Sequence, residues 1–251
     1  MVAVVIPARY NSTRFPGKPL ANLLGKPIIQ HVYERAKKAK KVGTLFVATD
    51  DDRIGRAVSS FGGKTIMTSP DHLSGSDRVA EAAKQMNEEI IINVQGDEPL
   101  IEPDLIDDIS AELLENDDIP VCTARAPIAE LKDLNNPDVV KVVVNRENFA
   151  LYFSRSPIPG SKREGPEQRL TGGTIYYRHI GIYGYRRSFL LEFSKLRSTM
   201  LELHEGLEQL RILEHGYRIK LIDTNYMSVS VDTPEDLEHL RRKLTEDRIE
   251  D

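Results

Sequence analysis

The sequence predicts an α/β protein in which a mostly parallel β-sheet is covered by helices. Short, unbroken apolar runs typical of buried strands recur along the first half of the chain, and segments with helical apolar spacing separate them. Glycine, proline and aspartate stand at the boundaries between these segments, where turns and helix ends need them. The composition, 40% hydrophobic and 29% charged, excludes disorder for most of the chain, and its length of 251 residues suits one large domain or two small ones.

The first half alternates predicted strands with predicted helices. The strands are the apolar runs Ala3–Ile6, Leu45–Ala48, Thr65–Met67 and Ile90–Val94. The helices have regularly spaced apolar residues and begin at a residue suited to a helix start; they run from Pro27 to Ala39, from Asp50 or Asp51 to Phe61, from Ser76 to Met86 and from Asp104 to Leu114. A helix between successive strands is the connection that joins parallel strands.

The second half is a mixture in which strands follow one another more directly. Strands are predicted at Val139–Val144, Ala150–Phe153, Ile180–Tyr185 and Ile219–Ile222. A helix is predicted over Leu201–Leu213, where four leucines share one stripe, and a last helix over Pro234–Leu244. Residues 161–177 are rich in glycine, arginine and polar side chains and predict an exposed loop. No linker is clear enough to fix a domain boundary, and residues 1–251 are predicted to form a single domain.

Composition excludes several classes of protein. No run approaches the roughly 18 apolar residues that span a membrane, and Val2–Ile6 is too short for the core of a signal peptide. The single cysteine, Cys122, excludes an internal disulfide and a cysteine-rich zinc site. The net charge of −5 argues against general nucleic-acid binding. These features predict a cytoplasmic protein that binds neither membranes nor nucleic acid.

The charges are unevenly distributed along the chain. Residues 1–49 hold nine basic side chains and one acidic one, whereas residues 88–118 hold twelve acidic side chains and no basic one. Such runs are usually solvated helix faces. They also suit an anion-binding site near the N-terminus that faces a cation-binding site, and the motifs decide between these interpretations.

The loop Pro7–Leu20 follows the first predicted strand. It contains Arg9, Arg14 and Lys18 within ten residues, together with Gly17. Open α/β sheets bind ligands at the C-terminal ends of their strands, and arginine and lysine are the side chains that bind polyphosphates. The spacing differs from a P-loop and from Gly-x-Gly-x-x-Gly, which argues against a nicotinamide-dependent dehydrogenase. An incidental basic surface loop is the alternative.

Two aspartates are candidates for a metal site. Asp97 follows the strand Ile90–Val94 in a turn, and Asp232 lies just before the helix that begins at Pro234. Mg²⁺ prefers one or two carboxylates together with phosphate oxygens and water. Each aspartate has a structural alternative, since Asp97 could belong to a turn before a helix and Asp232 could cap one. Nothing in the sequence brings the two together.

Three further segments have unusual polar content. Ser74–Arg78 is a glycine-containing turn that suits a base or a ribose, or that merely begins a helix. Every second residue from His179 to Tyr185 lies on one face of a strand, and this set includes Tyr183. Glu208–Gln209 lies inside a predicted helix, where a solvated face is the default interpretation. No Ser/His/Asp or Cys/His arrangement for nucleophilic catalysis is visible.

With these motifs the chain resembles the 3-deoxy-manno-octulosonate cytidylyltransferase (CMP-Kdo synthetase) family. The matching segments follow in order over nearly the whole chain: Ile6–Tyr10, Gly17–Leu20, Val47–Asp50, Ser74–Arg78, Asn93–Pro99, Val140–Val143, Ala150–Arg155, Arg178–Tyr185, Leu207–Arg211 and Val231–Asp236. The first loop alone is typical of sugar nucleotidyltransferases in general. The segments at 178–185 and 207–211 are much more specific to the Kdo enzymes.

The resemblance implies the nucleotide-diphospho-sugar transferase fold. This α/β fold has a mostly parallel central sheet flanked by helices and a smaller mixed β subregion for sugar binding and dimerisation. Residues 1–125 would mainly bind CTP, and residues 126–251 would mainly bind the sugar and form dimer contacts. The implied protein is a homodimer that joins CTP to the acidic eight-carbon sugar 3-deoxy-D-manno-octulosonate (Kdo) with Mg²⁺. The products are CMP-Kdo, which serves lipopolysaccharide synthesis, and pyrophosphate.

The resemblance also assigns roles to residues. Nucleotide binding is assigned to Pro7, Ala8, Arg9, Arg14, Lys18, Ser74, Arg78 and Gln95. Sugar binding is assigned to Gln95, His179, Tyr183, Glu208 and Gln209. The metal is assigned to Asp97 and Asp232, which form the expected catalytic set with Arg14 and Lys18.

In the implied reaction, the anomeric hydroxyl of the sugar attacks the α-phosphorus of CTP in line and pyrophosphate leaves. Both substrates are anions, so charge repulsion dominates the barrier. Mg²⁺ on Asp97 and Asp232 would lower the pKa of the attacking hydroxyl and orient it. Arg14 and Lys18 would stabilise the charge that moves onto pyrophosphate, and no protein nucleophile is required.

Two positions depart from the family pattern. Residues 161–178 match no family motif, and Leu203 stands where a histidine is expected, with His204 one position later. Other acidic sugars are alternative substrates, among them 8-amino-Kdo and the sialic or pseudaminic acids. The alternative from a different class is a catalytically silent nucleotide-binding protein on the same fold.

Overall fold

A computed structural model describes residues 1–72, 74–160 and 176–250, the last four by their backbone alone. The first half alternates strands and helices, as predicted. Its strands are β1 (Val2–Ala8), β2 (Asn22–Leu23), β3 (Lys26–Pro27), β4 (Val42–Thr49), β5 (Thr65–Met67), β6 (Ile90–Asn93) and β7 (Val121–Pro127). Its helices are α1 (Ile28–Ala36), α2 (Asp52–Ser60), α3 (Gly75–Ala83) and α4 (Pro103–Glu115).

The second half is mixed, also as predicted. After the short helix α5 (Leu131–Asn135), its strands are β8 (Lys141–Val144), β9 (Ala150–Ser154), β10 (Tyr177–Arg186) and β11 (Ile219–Asp223). Its further helices are α6 (Arg187–Phe193), α7 (Met200–Glu205), α8 (Gln209–Glu214) and α9 (Pro234–Glu250). No helix in the described part of the chain is both long enough and apolar enough to cross a membrane.

One sheet contains the main strands of both halves. Its order is β11-β7-β10-β6-β1-β4-β5, and β8 and β9 extend it from β10. Strands β6, β1, β4 and β5 are parallel, whereas β10 runs antiparallel to β6, β7 and β8. The predicted parallel sheet with a smaller mixed region is therefore confirmed, and β10 joins the two regions.

The sheet is covered on both faces. Along β1, Val4 and Ile6 pack into one apolar cluster, and Ala3 and Val5 pack into another. The first cluster includes the buried faces of α1 and α4, and the second includes those of α3 and α6. This double burial explains why β1 is an unbroken apolar run.

The predicted helix Leu201–Leu213 is wrong, because the chain forms α7 and α8 instead. Gly206 lies between them with a φ of 63°, the left-handed conformation that ends a helix. Leu203 is 69% exposed, whereas Leu207 is buried, so the leucines do not form one continuous stripe. Glu208–Gln209 consequently lies at the start of a helix and not in the middle of one.

Other differences are smaller. β7, α5 and α6 were not predicted, and β7 is completely buried up to Ala126 although threonine and arginine interrupt its apolar residues. Helix α3 ends at Ala83 and does not reach Met86. The loop predicted at 161–177 lies outside the described residues except for its last two, of which Tyr177 begins β10.

Candidate active site

A cavity of about 330 Å³ opens at the C-terminal ends of β1 and β6. These neighbouring strands are parallel, so both ends lie at the edge of the sheet where α/β proteins bind ligands. Every residue that was predicted to bind the nucleotide, from Pro7 to Gln95, lines this cavity. The two predicted metal-binding aspartates, Asp97 and Asp232, line it as well.

The basic loop after β1 is folded back on itself. The Tyr10 carbonyl accepts hydrogen bonds from the N–H groups of Ser12 at 3.0 Å and Gly17 at 2.8 Å. Gly17 has a φ of 74°, and a Cβ there would lie 3.1 Å from the Tyr10 ring, so this turn requires glycine. The guanidinium of Arg53 in α2 stacks on the same ring, 3.3 Å from its centroid. Tyr10 thus links the loop to the sheet's flanking helix.

Asp97 and Asp232 meet around a single ammonium group. Lys18 Nζ donates to Asp97 Oδ2 at 2.6 Å and to Asp232 Oδ1 at 3.2 Å. Arg14 Nη2 donates to the same Asp232 oxygen at 3.0 Å. The N–H of Val231 donates to the Asp97 carbonyl at 2.9 Å, which holds the two chain segments side by side. Two aspartates that are distant in sequence therefore form one site.

Asp232 does not cap the helix that follows it. Thr233 and Asp236 form the cap, since Asp236 Oδ2 accepts the N–H of Thr233 at 2.8 Å and Thr233 Oγ1 accepts the N–H of Asp236 at 3.2 Å. The capping alternative for the Asp232 side chain is therefore wrong. Its carboxylate is directed to Lys18 and Arg14 instead.

The chemistry of this carboxylate pair suits Mg²⁺. Asp97 and Asp232 already enclose a cation, the Lys18 ammonium. Within the described residues, no group of three or more His, Cys, Asp or Glu side chains could hold a metal. A metal on this pair must take further ligands from substrate and water, which is the usual coordination of Mg²⁺ beside phosphates.

Ser74 immediately precedes α3, and Arg78 lies in the first turn of this helix. Ser74 is the N-cap, since its Oγ accepts the N–H of Asp77 at 3.1 Å, so the structural interpretation of this segment is correct for Ser74. Arg78 is buried, and its guanidinium is held by Thr68 Oγ1 at 2.5 Å and by the Asp50 carboxylate at 3.2 Å. A guanidinium fixed in this way is a rigid donor for a base or ribose oxygen.

A smaller cavity of about 110 Å³ adjoins the first, because Gly75 and Gln95 line both. Four of the five predicted sugar-binding residues line it: Gln95, Tyr183, Glu208 and Gln209. The rings of Tyr183 and Tyr185 stack with their centroids 5.7 Å apart and form an aromatic wall of this cavity. Polar groups around an aromatic wall suit a sugar, whose faces are partly apolar.

Glu208 connects the two cavities. Its Oε1 accepts a hydrogen bond from Ser74 Oγ at 2.9 Å, and its Oε2 accepts one from Ser76 Oγ at 2.7 Å. Burial raises the pKa of the Glu208 carboxyl, and the hydrogen bonds from the two serines offset part of that rise. Glu208 lines the smaller cavity and Ser74 lines the larger one, so the hydrogen bond between them links the two cavities directly.

His179 is the predicted sugar-binding residue that lines neither cavity. Its Nε2 lies 2.9 Å from Thr123 Oγ1, and its ring lies 5.2 Å from the Phe153 ring and 5.3 Å from the Tyr183 ring, centroid to centroid. Burial lowers the pKa of the His179 imidazole to about 3, so the ring is neutral at physiological pH. Its link to the smaller cavity is through Tyr183.

Sequence reasoning missed two side chains at the site. His72 lines the larger cavity and bonds to Glu81 of α3, but a single histidine before a helix gives no signal. Glu98 is buried beside Asp97 and accepts hydrogen bonds from Tyr226 and Ser228. The sequence does show Glu98 next to Asp97 in Gly-Asp-Glu-Pro, but two adjacent carboxylates usually indicate an exposed turn and not a buried side chain.

Comparison with known proteins identifies relatives that match nearly the whole chain. The model of a family described as Cytidylyltransferase matches residues 3–221. A protein of Geobacter sulfurreducens named 3-deoxy-manno-octulosonate cytidylyltransferase is 52% identical over 247 residues, which cover 97% of this chain and 99% of that protein. A protein of Geobacter metallireducens with the same name is 50% identical over 252 residues, which cover 99% of both.

Solved structures agree with these relatives. The structure of CMP:2-keto-3-deoxy-manno-octonic acid synthetase complexed with CTP is similar with a TM-score of 0.91 and 43% identity, and covers 98% of this chain and 99% of its own. A 4-diphosphocytidyl-2C-methyl-D-erythritol synthase from Anaerococcus prevotii has a TM-score of 0.61 and 11% identity over 97% of this chain and 96% of its own. At that identity the second likeness concerns the fold alone.

Proposed function

Because this chain belongs to the cytidylyltransferase family, and within it to the 3-deoxy-manno-octulosonate cytidylyltransferases, we propose that it joins CTP to Kdo. It is a nucleotidyltransferase, and the products of the proposed reaction are CMP-Kdo and pyrophosphate. The observation that carries the proposal is the meeting of Asp97 and Asp232 at Lys18, in a cavity that continues into a second one. Two joined cavities are what a reaction between a nucleotide and a sugar needs.

In this reaction one bond to phosphorus forms while another breaks. The anomeric oxygen of the sugar bonds to the α-phosphorus of CTP, and the bond from that phosphorus to the oxygen bridging toward the β-phosphorus breaks. The sugar hydroxyl gives up its proton to solvent water, and pyrophosphate leaves with the electron pair of the broken bond. Arg14 and Lys18 line the same cavity as Arg9 and balance the charge on the leaving group.

Asp97 and Asp232 are the residues that would hold Mg²⁺. When bound, this ion supplies a Lewis acid that lowers the pKa of the sugar hydroxyl and aligns the reacting atoms. The protein's own contribution is to bring two carboxylates from separate segments to one place. Lys18 balances their charge there, because its ammonium bonds to both.

The smaller cavity receives the sugar in this proposal. Gln95 lines both cavities, so its amide lies where the two substrates meet. Tyr183 offers an aromatic surface, and Glu208 and Gln209 offer polar groups at the start of α8. His179 acts from behind Tyr183 as a neutral ring.

Release of pyrophosphate tests the proposal. Purified protein with CTP and Mg²⁺ is supplied separately with Kdo, 8-amino-Kdo and N-acetylneuraminate. Release with Kdo alone is the expected result. Release only with another sugar would keep the nucleotide and metal assignments and reject the sugar assignment. Protein that binds CTP and releases no pyrophosphate with any of the three would favour a silent nucleotide-binding function.

The proposal also covers the organisation of the protein. Residues 1–125 mainly bind the nucleotide, residues 126–251 mainly bind the sugar and form dimer contacts, and the homodimer works in the cytoplasm for lipopolysaccharide synthesis. Sedimentation of the purified protein tests the dimer, and fractionation of cells tests the location.

A further inference from the structure

Glu98 is a buried carboxylate beside the site, and the proposed reaction gives it no role. It follows Asp97 directly and is 5% exposed. Tyr226 Oη donates to its Oε2 at 3.1 Å, and Ser228 Oγ donates to its Oε1 at 2.7 Å. Both carboxylate oxygens therefore have a hydroxyl partner, and both partners come from one distant segment of the chain.

That segment has no regular structure of its own. Residues 224–233, between β11 and α9, form neither helix nor strand, and Asp232 lies near their end. The backbone of such a segment has no ladder of hydrogen bonds to fix it, so individual contacts decide where Asp232 lies. One of them is local, since the Asp232 N–H donates to Asp236 Oδ2 at 3.0 Å. Three hydrogen bonds join the segment to the turn at 97–98: the two to Glu98 and the one from the Val231 N–H to the Asp97 carbonyl at 2.9 Å.

We propose that Glu98 is a positioning residue, which fixes the segment 224–232 and thereby places Asp232 beside Asp97 at Lys18. Leaving a buried carboxylate without hydrogen-bond partners destabilises the folded protein. The two hydrogen bonds to Glu98 are therefore strong restraints on the segment that donates them. Tyr226 and Ser228 are two residues apart, so together they fix both the position and the direction of the segment. Because Glu98 and Asp97 are neighbours, a restraint on one carboxylate is transmitted to the other.

The role of Asp232 in catalysis rests on the proposed function, whereas its position beside Lys18 does not. The test therefore has one readout without metal or substrate and one with metal. The variants are Tyr226→Phe, Ser228→Ala and the double variant Tyr226→Phe/Ser228→Ala, which leave Asp97, Asp232 and Glu98 in place. The matched control is Tyr217→Phe, which removes a tyrosine hydroxyl that donates to Glu192 at 2.5 Å near the cluster on the other face of the sheet.

The first readout is the acetylation rate of Lys18 in metal-free protein, followed by peptide mass spectrometry. Lys18 is now largely enclosed and bonded to both aspartates. We expect labelling to rise several-fold in the double variant, toward the value of Asp232→Ala, and less in each single variant. The control should label like the wild type. If Lys18 is acetylated at the wild-type rate in a double variant that still binds CTP, the proposal is wrong. If the double variant does not fold, the acetylation rates of the two single variants decide by the same criterion.

The second readout is Mn²⁺ binding to the CTP complex by electron paramagnetic resonance, without sugar. Loss of a group that orients a metal ligand weakens metal binding by about 10- to 100-fold. We expect a weakening in this range for the double variant, with CTP affinity in the absence of metal within about twofold of wild type, because the cations of the larger cavity are untouched. Absence of Mn²⁺ binding in the wild type would reject the metal assignment of the proposed function, and Lys18 labelling would still decide the role of Glu98.

Discussion

The two cavities reach their geometry by different routes. The larger one is built from loops that follow β1 and β6 and from the first turn of α3, and ion pairs such as Lys18 with Asp97 organise it. The smaller one is built from β10 and from the break between α7 and α8, and buried hydrogen bonds and stacked rings organise it. The first depends mainly on ion pairs, and the second depends mainly on hydrogen bonds and stacked rings next to the Gly206 turn, so different substitutions should damage them.

The largest expected effect lies in the larger cavity. Asp97→Asn or Asp232→Asn should lower turnover on the order of 10²-fold, because each removes a charge from the proposed metal site. Steady-state pyrophosphate release at saturating CTP and Kdo measures this loss. Asp117→Asn is the matched control, since this exposed carboxylate pairs only with Arg186 in the described structure. Turnover near that of the wild type in either variant would remove that aspartate from the metal role.

The next effect separates the two cavities. Gly206→Ala places a Cβ at a φ of 63°, which should cost about 1–2 kcal/mol of folding free energy and shift the start of α8. We expect the KM for the sugar to rise about tenfold, because loss of one hydrogen bond to the Glu208 carboxylate has an effect of about this size. The KM for CTP should change little. Initial rates at varied sugar and varied CTP distinguish the two constants.

Gly62→Ala is the control for this backbone effect. Gly62 has a φ of 78° at the end of α2, and no atom lies within 4 Å of the added Cβ. Both variants should lose similar stability in thermal denaturation, whereas only Gly206→Ala should alter the sugar constant. Equal kinetic effects in the two variants would show that the smaller cavity does not depend on the Gly206 turn.

This contrast also explains what the sequence could predict. The larger cavity was predictable because its loop follows an apolar strand and because Arg9, Arg14 and Lys18 are side chains with few structural uses in a turn. The start of α8 was not predictable in the same way, since a leucine repeat across Gly206 satisfies the pattern of one helix. The family resemblance assigns sugar binding to Glu208, but only the structure shows that this carboxylate accepts hydrogen bonds from Ser74 and Ser76.

The proximity of Asp97 and Asp232 could not be predicted from the sequence either. Asp232 follows a segment without regular structure, and neither periodicity nor propensity specifies the path of such a segment. In our proposal the hydrogen bonds from Tyr226 and Ser228 to the buried Glu98 fix that path, and burial of a glutamate is rare. Sequence patterns describe local conformation well, but they do not specify which distant polar groups will become partners.

A third prediction compares two glutamates on either side of the Gly206 turn. Burial raises the pKa of Glu208 above its ordinary value of 4.5. Burial alone would also raise the pKa of Glu205, but hydrogen bonds from the Arg155 N–H and the Ser154 hydroxyl lower it below 4.5. Glu208→Gln and Glu205→Gln should therefore change the pH dependence of stability in opposite directions.

The signs follow from proton binding. The folded wild type binds an extra proton at Glu208 between pH 4.5 and the raised pKa, so its stability falls as the pH rises through this window, and Glu208→Gln removes that fall. Glu205 stabilises the folded state above pH 4.5 and loses this contribution as the pH falls through its lowered pKa, so Glu205→Gln is least harmful in acid. Melting temperatures between about pH 3 and about pH 7 measure both differences. Parallel curves for the two variants would contradict the assignment of these two environments.

The smallest expected effect returns to the larger cavity. Arg53 touches no predicted substrate group, but its guanidinium stacks on Tyr10, whose carbonyl holds the turn at Gly17. Arg53→Ala should raise the KM for CTP about two- to fivefold without lowering kcat, because an exposed cation–π contact contributes modestly to loop position. Arg218→Ala is the matched control, since it removes an arginine stacked on Phe149 at 4.4 Å. Arg53 and Arg218 have the same charge and stack on different rings. If both variants raise the KM for CTP equally, long-range charge governs CTP binding and the contact with Tyr10 does not.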